Sequence, residues 1–357
     1  MPKSEGNAPS RRVTPFPREA SNQYVLFSLR ISAAILSAIP LLAQEAPPIQ
    51  AQEAAPIQTN VPLVLAPVTV TDGKGNLIDG LTVDDFRLAD DGKPRPITMD
   101  TSDTVQAPVS LVVLIQASQI STPALARIAQ VGGLIKPLVI GERGQAAVLE
   151  FDDELRLRTD FTADSGAIKA AFEGTRNRSV RTARLIDAVA EGVRLLDTRA
   201  ANHRRVMLIL SESRDRGSKM KLPAAVERAQ RAGVVIYAAT YSVQASAFSS
   251  RPSDAPSMPG GDDNLDILGG AKELARAALP NAAEALTRAT GGRHLSFVTL
   301  NALENVISRA GEEIHSQYLL SFVPLQDGNQ SFHEIRVAIP SRPDAVIRVR
   351  PGYWPGK

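Results

Sequence analysis

The sequence predicts an α/β protein with a doubly wound, mostly parallel sheet and a small antiparallel β subdomain contributed by both flanks. Four stretches in the middle of the chain are continuously apolar: residues 111–115, 146–149, 206–210 and 234–238. Strands that are buried on both faces have this pattern, and parallel sheets covered by helices produce such strands. Helical periodicity fills the gaps between them, and strand–helix alternation of this kind is typical of a doubly wound domain.

Residues 1–61 precede the predicted sheet and have the pattern of an export signal followed by a linker. Residues 1–23 are polar and basic, and an apolar stretch follows over residues 31–42. That stretch fits the apolar region of a secretory signal and is shorter than the roughly 20 residues of a membrane-spanning helix. We expect a signal peptide over residues 1–43 and a linker rich in alanine, proline and glutamine over residues 44–61. The protein is then periplasmic or extracellular, and the alternative is an uncleaved membrane anchor.

Residues 62–104 are predicted to form a first β segment. The β-rich run at residues 68–71 is followed by turn-forming residues at 72–76. A second short run at residues 84–88 is closed by another turn sequence at 90–94. Short β-rich runs separated by glycine, aspartate and asparagine favour antiparallel strands.

Residues 105–316 are predicted to form the doubly wound domain. Apolar stripes at helical spacing mark three helices, near residues 125–135, 186–196 and 221–232. The stretch at residues 246–270 is rich in glycine, proline, serine and aspartate and has no period, so we expect an irregular excursion on the surface. Beyond it the pattern predicts a helix, a strand and a further helix, at residues 271–290, 294–298 and 300–314.

Residues 317–354 return to a β pattern. Three antiparallel strands are predicted, near residues 318–323, 334–339 and 346–349. We expect these strands to pair with those of the first β segment, so that the two flanks of the chain build one subdomain.

The composition excludes several classes of protein. The 357 residues include no cysteine, which removes zinc-finger, iron–sulfur, disulfide-scaffold and thiol-nucleophile interpretations. The net charge is only +2, and residues 1–43 hold five basic and two acidic side chains, so the remainder is close to neutral. Aromatic residues make up 4% of the chain. A nucleic-acid partner is not expected, because such proteins use a basic surface and stacking aromatic side chains.

The sequence also lacks the common catalytic signatures. The nucleophile elbow, the zinc-protease motif, the phosphate loop and the dinucleotide-binding glycine pattern do not occur. The histidines are far apart in sequence: His203, His294, His315 and His333. The acidic pairs Asp84–Asp85 and Asp90–Asp91 are expected to lie in turns. We therefore expect no enzyme, although a pair of carboxylates needs only spatial proximity to act on a glycoside.

The order of several segments resembles the von Willebrand factor A domain. These segments are residues 110–118, 182–187 and 206–212. The flanking segments at 68–88 and 317–353 are similar to those of exported bacterial von Willebrand A-related proteins. The resemblance covers about residues 62–354, and it implies a Rossmann-like fold.

That resemblance implies a metal-ion-dependent adhesion site at the carboxyl edge of the sheet. The family pattern is Asp-x-Ser-x-Ser after the first strand, a threonine from the next loop and an aspartate after a later strand, which together suit Mg²⁺. In this sequence Gln116 takes the place of the first aspartate, Ser118 matches the first serine, and Ile120 replaces the second. Thr182 matches the threonine, and Glu212 replaces the last aspartate.

These replacements predict a degenerate adhesion site. One carboxylate remains where the pattern has two, and one hydroxyl is replaced by an apolar side chain. We expect no bound cofactor; the alternative is Mg²⁺ or another divalent cation held by Ser118, Thr182 and Glu212. The sequence offers three substitute donors on nearby loops: Ser121, Asp152 and Asp153.

The leading functional hypothesis is an exported, non-catalytic, adhesion-type module that binds an unidentified protein. Its binding loops at the sheet edge are predicted at residues 116–122, 152–160, 175–183 and 212–219. A basic cluster surrounds Thr182 and is either a solvated surface or a contact for an acidic partner: Arg176, Arg178, Arg181 and Arg184. The alternative is a structural envelope component that assembles through its β segments, and an enzyme of unknown type is the third hypothesis.

Overall fold

The computed structural model describes residues 63–99, 107–200, 202–241, 281–325 and 330–355. The predicted signal peptide and linker lie outside the described residues. So does the predicted irregular stretch at 246–270, together with the first part of the helix predicted from residue 271. Within the part of the chain that is described, no helix is both long and apolar enough to cross a bilayer.

A six-stranded sheet forms the centre of the molecule. Strands are numbered in chain order, and β1 to β4 belong to the β subdomain described below. The strands of the large sheet are β5 (Val109–Gln116), β6 (Gln145–Phe151), β7 (Leu155–Thr162), β8 (Arg204–Ser211), β9 (Val235–Tyr241) and β10 (His294–Phe297). Their order in the sheet is β10-β9-β8-β5-β6-β7. All neighbours are parallel except β6 and β7. The predicted fold class is confirmed.

Helices cover both faces of this sheet: α1 (Thr122–Val131), α2 (Ser165–Gly174), α3 (Leu185–Asp197), α4 (Leu222–Arg231), α5 (Ala282–Thr290) and α6 (Leu300–His315). The central strand β5 is buried along its whole length because it packs on both layers. Leu111, Val113 and Ile115 face the core shared with α1, α2 and α6. Val112 and Leu114 face the core shared with α3, α4 and α5. Continuous burial on two faces explains the uninterrupted apolar runs in the sequence.

In the α/β domain, one strand of the large sheet and one helix beside it were not predicted from the sequence. Residues 152–160 were expected to be a loop, but β7 begins at Leu155 and pairs antiparallel with β6 at the edge of the sheet. The strand alternates apolar and charged residues and is only partly buried, so it has no continuous apolar run. Helix α2 follows it directly. The prediction of a loop is therefore wrong beyond the turn at residues 152–154.

The two flanks of the chain build the β subdomain, as predicted, and its strands form two sheets. Its strands are β1 (Val64–Thr71), β2 (Arg87–Asp90), β3 (Lys93–Arg95), β4 (Thr98–Met99), β11 (Tyr318–Phe322), β12 (His333–Ala338), β13 (Val346–Arg348) and β14 (Gly352–Tyr353). The sheet orders are β13-β1-β11-β4 and β14-β12-β2-β3. Side chains of both sheets share one hydrophobic core, so the subdomain is a small sandwich.

Candidate functional site

The carboxyl ends of the parallel strands bring the predicted site residues to one edge of the large sheet. Gln116 is the last residue of β5, and Glu212 directly follows β8, its neighbour in the sheet. Ser118 lies two residues beyond β5, and both Gln116 and Ser118 are completely buried. Open α/β sheets bind ligands at this edge.

A hydrogen-bonded chain joins Gln116, Ser118 and Glu212. The Gln116 side-chain oxygen accepts the backbone N–H of Glu212 at 2.9 Å. The Gln116 Nε2 donates to the Ser118 hydroxyl at 2.7 Å. Because an amide has both a donor and an acceptor, Gln116 satisfies these two buried groups without carrying a charge.

The chain of hydrogen bonds continues to Ser121 and Tyr241. The hydroxyls of Ser118 and Ser121 are 3.4 Å apart, and the Tyr241 hydroxyl donates to the Ser121 oxygen at 2.7 Å. Burial raises the pKa of Tyr241, so its phenol stays protonated at neutral pH. Ser121 is thus committed to a buried contact and is not a spare ligand.

The Glu212 carboxylate has a basic partner. Arg216 approaches its two oxygens at 3.0 and 3.3 Å. The hydrogen bond to Glu212 raises the pKa of the Arg216 guanidinium. The arginine backbone is fixed as well, because Arg216 and Ala183 exchange backbone hydrogen bonds at 2.9 and 2.8 Å. This pairing joins the loop after β8 to the loop that carries Thr182.

Thr182 and Ile120 lie at the same edge but outside the hydrogen-bonded chain. Thr182 is exposed and lies beside Gly217. Its methyl carbon is 3.6 Å from the position that a Cβ would take at that glycine. Ile120 is half-buried in a short 3₁₀ turn, Gln119–Ser121, that leads into α1. The structure therefore brings Gln116, Ser118 and Glu212 into direct contact and leaves Thr182 and Ile120 beside them.

The residues at this edge do not fit a divalent cation. Mg²⁺ requires several oxygen donors that are free to point at the ion. Here the Gln116 oxygen is occupied by a backbone N–H, and the only carboxylate of the set, Glu212, is neutralised by Arg216. The guanidinium supplies the positive charge beside Glu212.

Asp152 is also unsuited to replace the missing metal ligand. It is completely buried, and both of its oxygens lie 2.9 Å from Arg156 Nη1. Burial raises the pKa of the Asp152 carboxyl, but hydrogen bonds from Arg156 and the backbone of Glu154 outweigh this and lower it. The neighbouring Asp153 has a raised pKa, chiefly because of its contact with Asp152.

The predicted basic cluster divides into structural and exposed arginines. Arg178 lies 3.3 Å from the buried Glu150 carboxylate, which sequence reasoning did not single out, and Arg184 forms a close ion pair with Asp187. Arg176 donates to backbone carbonyls, and Arg181 is exposed. Part of the cluster therefore stabilises the loops themselves.

The strand order and the two helix layers define a doubly wound α/β protein. No protein-family model matches the sequence. No curated protein matches it.

Several solved structures are similar to the chain. BatB from Bacteroides thetaiotaomicron is 12% identical, with a TM-score of 0.39 over 58% of this chain and 98% of that one. The von Willebrand factor type A structure from Catenulispora acidiphila is 13% identical, with a TM-score of 0.41 over 72% of this chain and 51% of that one. Mussel byssus proximal thread matrix protein 1, solved with zinc in its adhesion-site motif, is 11% identical, with a TM-score of 0.40 over 62% and 49%. At these identities the likeness concerns the fold alone.

Proposed function

We propose that this chain is an exported, non-catalytic protein-interaction module that binds its partner through the carboxyl edge of the large sheet without a metal ion. The hydrogen-bonded chain through Gln116 carries this proposal. It fixes the loops after β5 and β8 against each other with a neutral amide, so the edge is rigid before any partner binds. Preorganised loops lose less conformational entropy on binding.

The chemistry of the exposed loops favours an acidic partner. Arg181 and Arg214 are exposed on the two loops that the Ala183–Arg216 pairing joins, and Arg216 itself is partly exposed beside Glu212. Guanidinium groups bind carboxylates with two parallel hydrogen bonds. In this proposal they supply the positive charge that a divalent cation supplies in the adhesion site that the sequence resembles.

Export is the part of the proposal that rests on sequence alone. The basic stretch followed by the apolar stretch within residues 1–43 supports it. The partner is accordingly expected among periplasmic or extracellular proteins.

The test is binding to partners captured from the cell envelope and then purified. The double variant Arg181→Glu, Arg214→Glu is expected to lose binding at least about tenfold, because charge reversal places like charges in contact. EDTA and added Mg²⁺ are expected to leave binding unchanged. Arg143→Glu, exposed in the turn before β6 at the opposite edge, is the matched control. Binding that requires Mg²⁺, or that responds equally to both charge reversals, contradicts the proposal.

The alternative is a structural envelope component that assembles through the β subdomain. Exposed apolar side chains on or beside β1, β11 and β13 favour it: Leu63, Leu65, Val323 and Val346. Concentration-dependent oligomers in X-ray scattering that persist in the Arg181→Glu, Arg214→Glu variant would support this alternative.

A further inference from the structure

A second group of polar residues lies in the β subdomain, where the sequence predicted only a turn and a strand start. Asp90 is the last residue of β2, Asp91 follows it, and His333 is the first residue of β12. One carboxylate oxygen from each aspartate and one imidazole nitrogen all lie within 4.8 Å of one another. The expectation that Asp90 lies in a turn is wrong, because it pairs with Ile335 in the β2–β12 ladder.

Asp90 is a buried carboxylate with one unused oxygen. It is fully inaccessible to solvent. Its Oδ2 accepts hydrogen bonds from the Leu325 backbone N–H at 3.1 Å and the Tyr353 hydroxyl at 3.0 Å. Its Oδ1 is buried and has no hydrogen-bond partner among the described residues. Burying an ionised carboxylate is costly unless a cation or a full set of donors compensates it.

His333 and Asp91 supply the other two donor atoms. His333 is buried, and its ring stacks on Tyr353 with centroids 5.2 Å apart and an 18° angle between the planes. Its Nδ1 lies 2.7 Å from Asp91 Oδ2. The other Asp91 oxygen accepts the backbone N–H of Glu334 at 2.8 Å. Both donor groups are therefore held in one orientation before any ion arrives.

We propose that Asp90, Asp91 and His333 bind a divalent transition-metal ion of the Zn²⁺ class. One imidazole and two carboxylates suit Zn²⁺ better than Mg²⁺, which prefers oxygen ligands and retains water. The ion replaces the proton between His333 and Asp91 and neutralises Asp90. Zn²⁺ binds nitrogen and oxygen at about 2.0–2.2 Å, so the three donors close inward by a small movement.

The surroundings of the three residues fit the outer shell of a metal site. Tyr353 and the N–H groups of Leu325 and Glu334 hydrogen-bond to the carboxylates, as groups that orient metal ligands commonly do. Asp91 is partly exposed, which leaves an entry path and room for water on its side. The ion would join β2 to β12, two strands far apart in sequence, and would stabilise the fold of the subdomain.

The test is Zn²⁺ titration of the full, untagged chain after EDTA treatment, followed by calorimetry. The wild type is expected to bind a single ion per chain at micromolar or lower free Zn²⁺. Asp91→Asn and His333→Gln are each expected to weaken binding by at least about tenfold, the lower end of what even outer-shell losses cost. Asp84→Asn, which changes an exposed carboxylate of the same subdomain, is expected to leave binding unchanged.

Two further measurements keep the result interpretable if a variant is poorly folded. Co²⁺ bound to the wild type is expected to give a visible spectrum of an ion with nitrogen and oxygen ligands. The double variant Ser118→Ala, Thr182→Ala is expected to bind Zn²⁺ like the wild type. The proposal is overturned if the wild type does not bind at 100-fold excess over the protein, if His333→Gln binds with equal affinity, or if only the double variant loses binding. The contact between His333 and Asp91 is then a hydrogen bond alone.

Discussion

Gln116 ends β5 with its side-chain amide between two buried partners, the Glu212 backbone N–H and the Ser118 hydroxyl. The amide is neutral, so this buried junction needs no counter-ion. Beside it, Arg216 neutralises the Glu212 carboxylate.

Replacing Gln116 by methionine tests this role. The Gln116→Met side chain has a similar length but leaves the buried Glu212 N–H without its partner. It also removes the amide donor to the Ser118 hydroxyl, which keeps only the 3.4 Å contact to Ser121. We expect the free energy of unfolding to fall by about 1–3 kcal/mol, the usual cost of a buried unsatisfied polar group. Urea denaturation measures it. Gln130→Met, an exposed glutamine on α1, is the control, and an equal effect of the two changes would contradict the role of the amide.

At the scale of single residues, the sequence predicted that Gln116, Ser118 and Glu212 lie at one edge of the sheet, but it did not predict their contacts. These three residues meet because β5 and β8 are neighbouring parallel strands and end at the same edge of the sheet. The Gln116 contact to a backbone N–H depends on the register between β5 and β8, which no residue type encodes. The roles of Arg216 and Tyr241 were missed for the same reason: their partners are distant in sequence or lie on a loop.

Among the elements, helix α3 holds the loop after β8 in place. Asp187, in the first turn of α3, accepts the backbone N–H groups of Lys219 at 3.0 Å and Met220 at 2.9 Å. Burial raises the pKa of this carboxyl, but these hydrogen bonds and the Arg184 guanidinium outweigh it and lower the pKa. The ionised side chain thus ties the candidate binding loop to the helix.

This pKa shift predicts a specific dependence of stability on pH. Because the folded-state pKa lies below the unfolded value of about 3.9, the contribution of Asp187 is present above that pH and is lost as the pH falls through the folded-state pKa. Asp187→Asn is expected to cost about 1–3 kcal/mol at pH 7. The difference between wild type and variant should shrink below about pH 4. Urea unfolding across pH checks this, and a difference that is constant with pH would contradict it.

In the large sheet, the strands that were predicted correctly and the strand that was missed have a common explanation. Strands β5, β6, β8 and β9 are buried on both faces, so each contains a continuous apolar run. Strand β7 lies at the sheet edge, and its arginines at 156 and 158 reach back toward the buried Glu150. The sequence of β7 alternates charged and apolar residues directly after a turn, which is also typical of a loop. Only the contact of its arginines with the buried Glu150 distinguishes it from a loop.

In the whole molecule, partly buried polar contacts attach the β subdomain to the α/β domain. Gln317, just before β11, accepts from Arg204 of β8 at 2.8 Å and donates to Tyr237 of β9 at 3.2 Å. Near the carboxyl terminus, Trp354 donates to the side chain of Gln230 on α4 at 3.0 Å. The sequence predicted that the flanks pair with each other, but it held no periodic signal for this attachment, because single polar residues mediate it.

Glu313 on α6 is the charged centre of that attachment, and it is almost completely buried. Its carboxylate pairs with Arg293 at 2.7 Å, within the α/β domain, and with Arg348 of β13, within the β subdomain. Glu313→Gln leaves these guanidinium groups close together without a counter-charge. Removing one partner of a buried ion pair costs about 3–5 kcal/mol, so we expect a large loss of unfolding free energy in urea. Glu312→Gln, its exposed neighbour on the same helix, should change stability by less than about 0.5 kcal/mol. Because Glu313 pairs with arginines of both the α/β domain and the β subdomain, we expect the Glu313→Gln variant to unfold in two separate steps. A single unfolding transition with the stability of the control would refute this role.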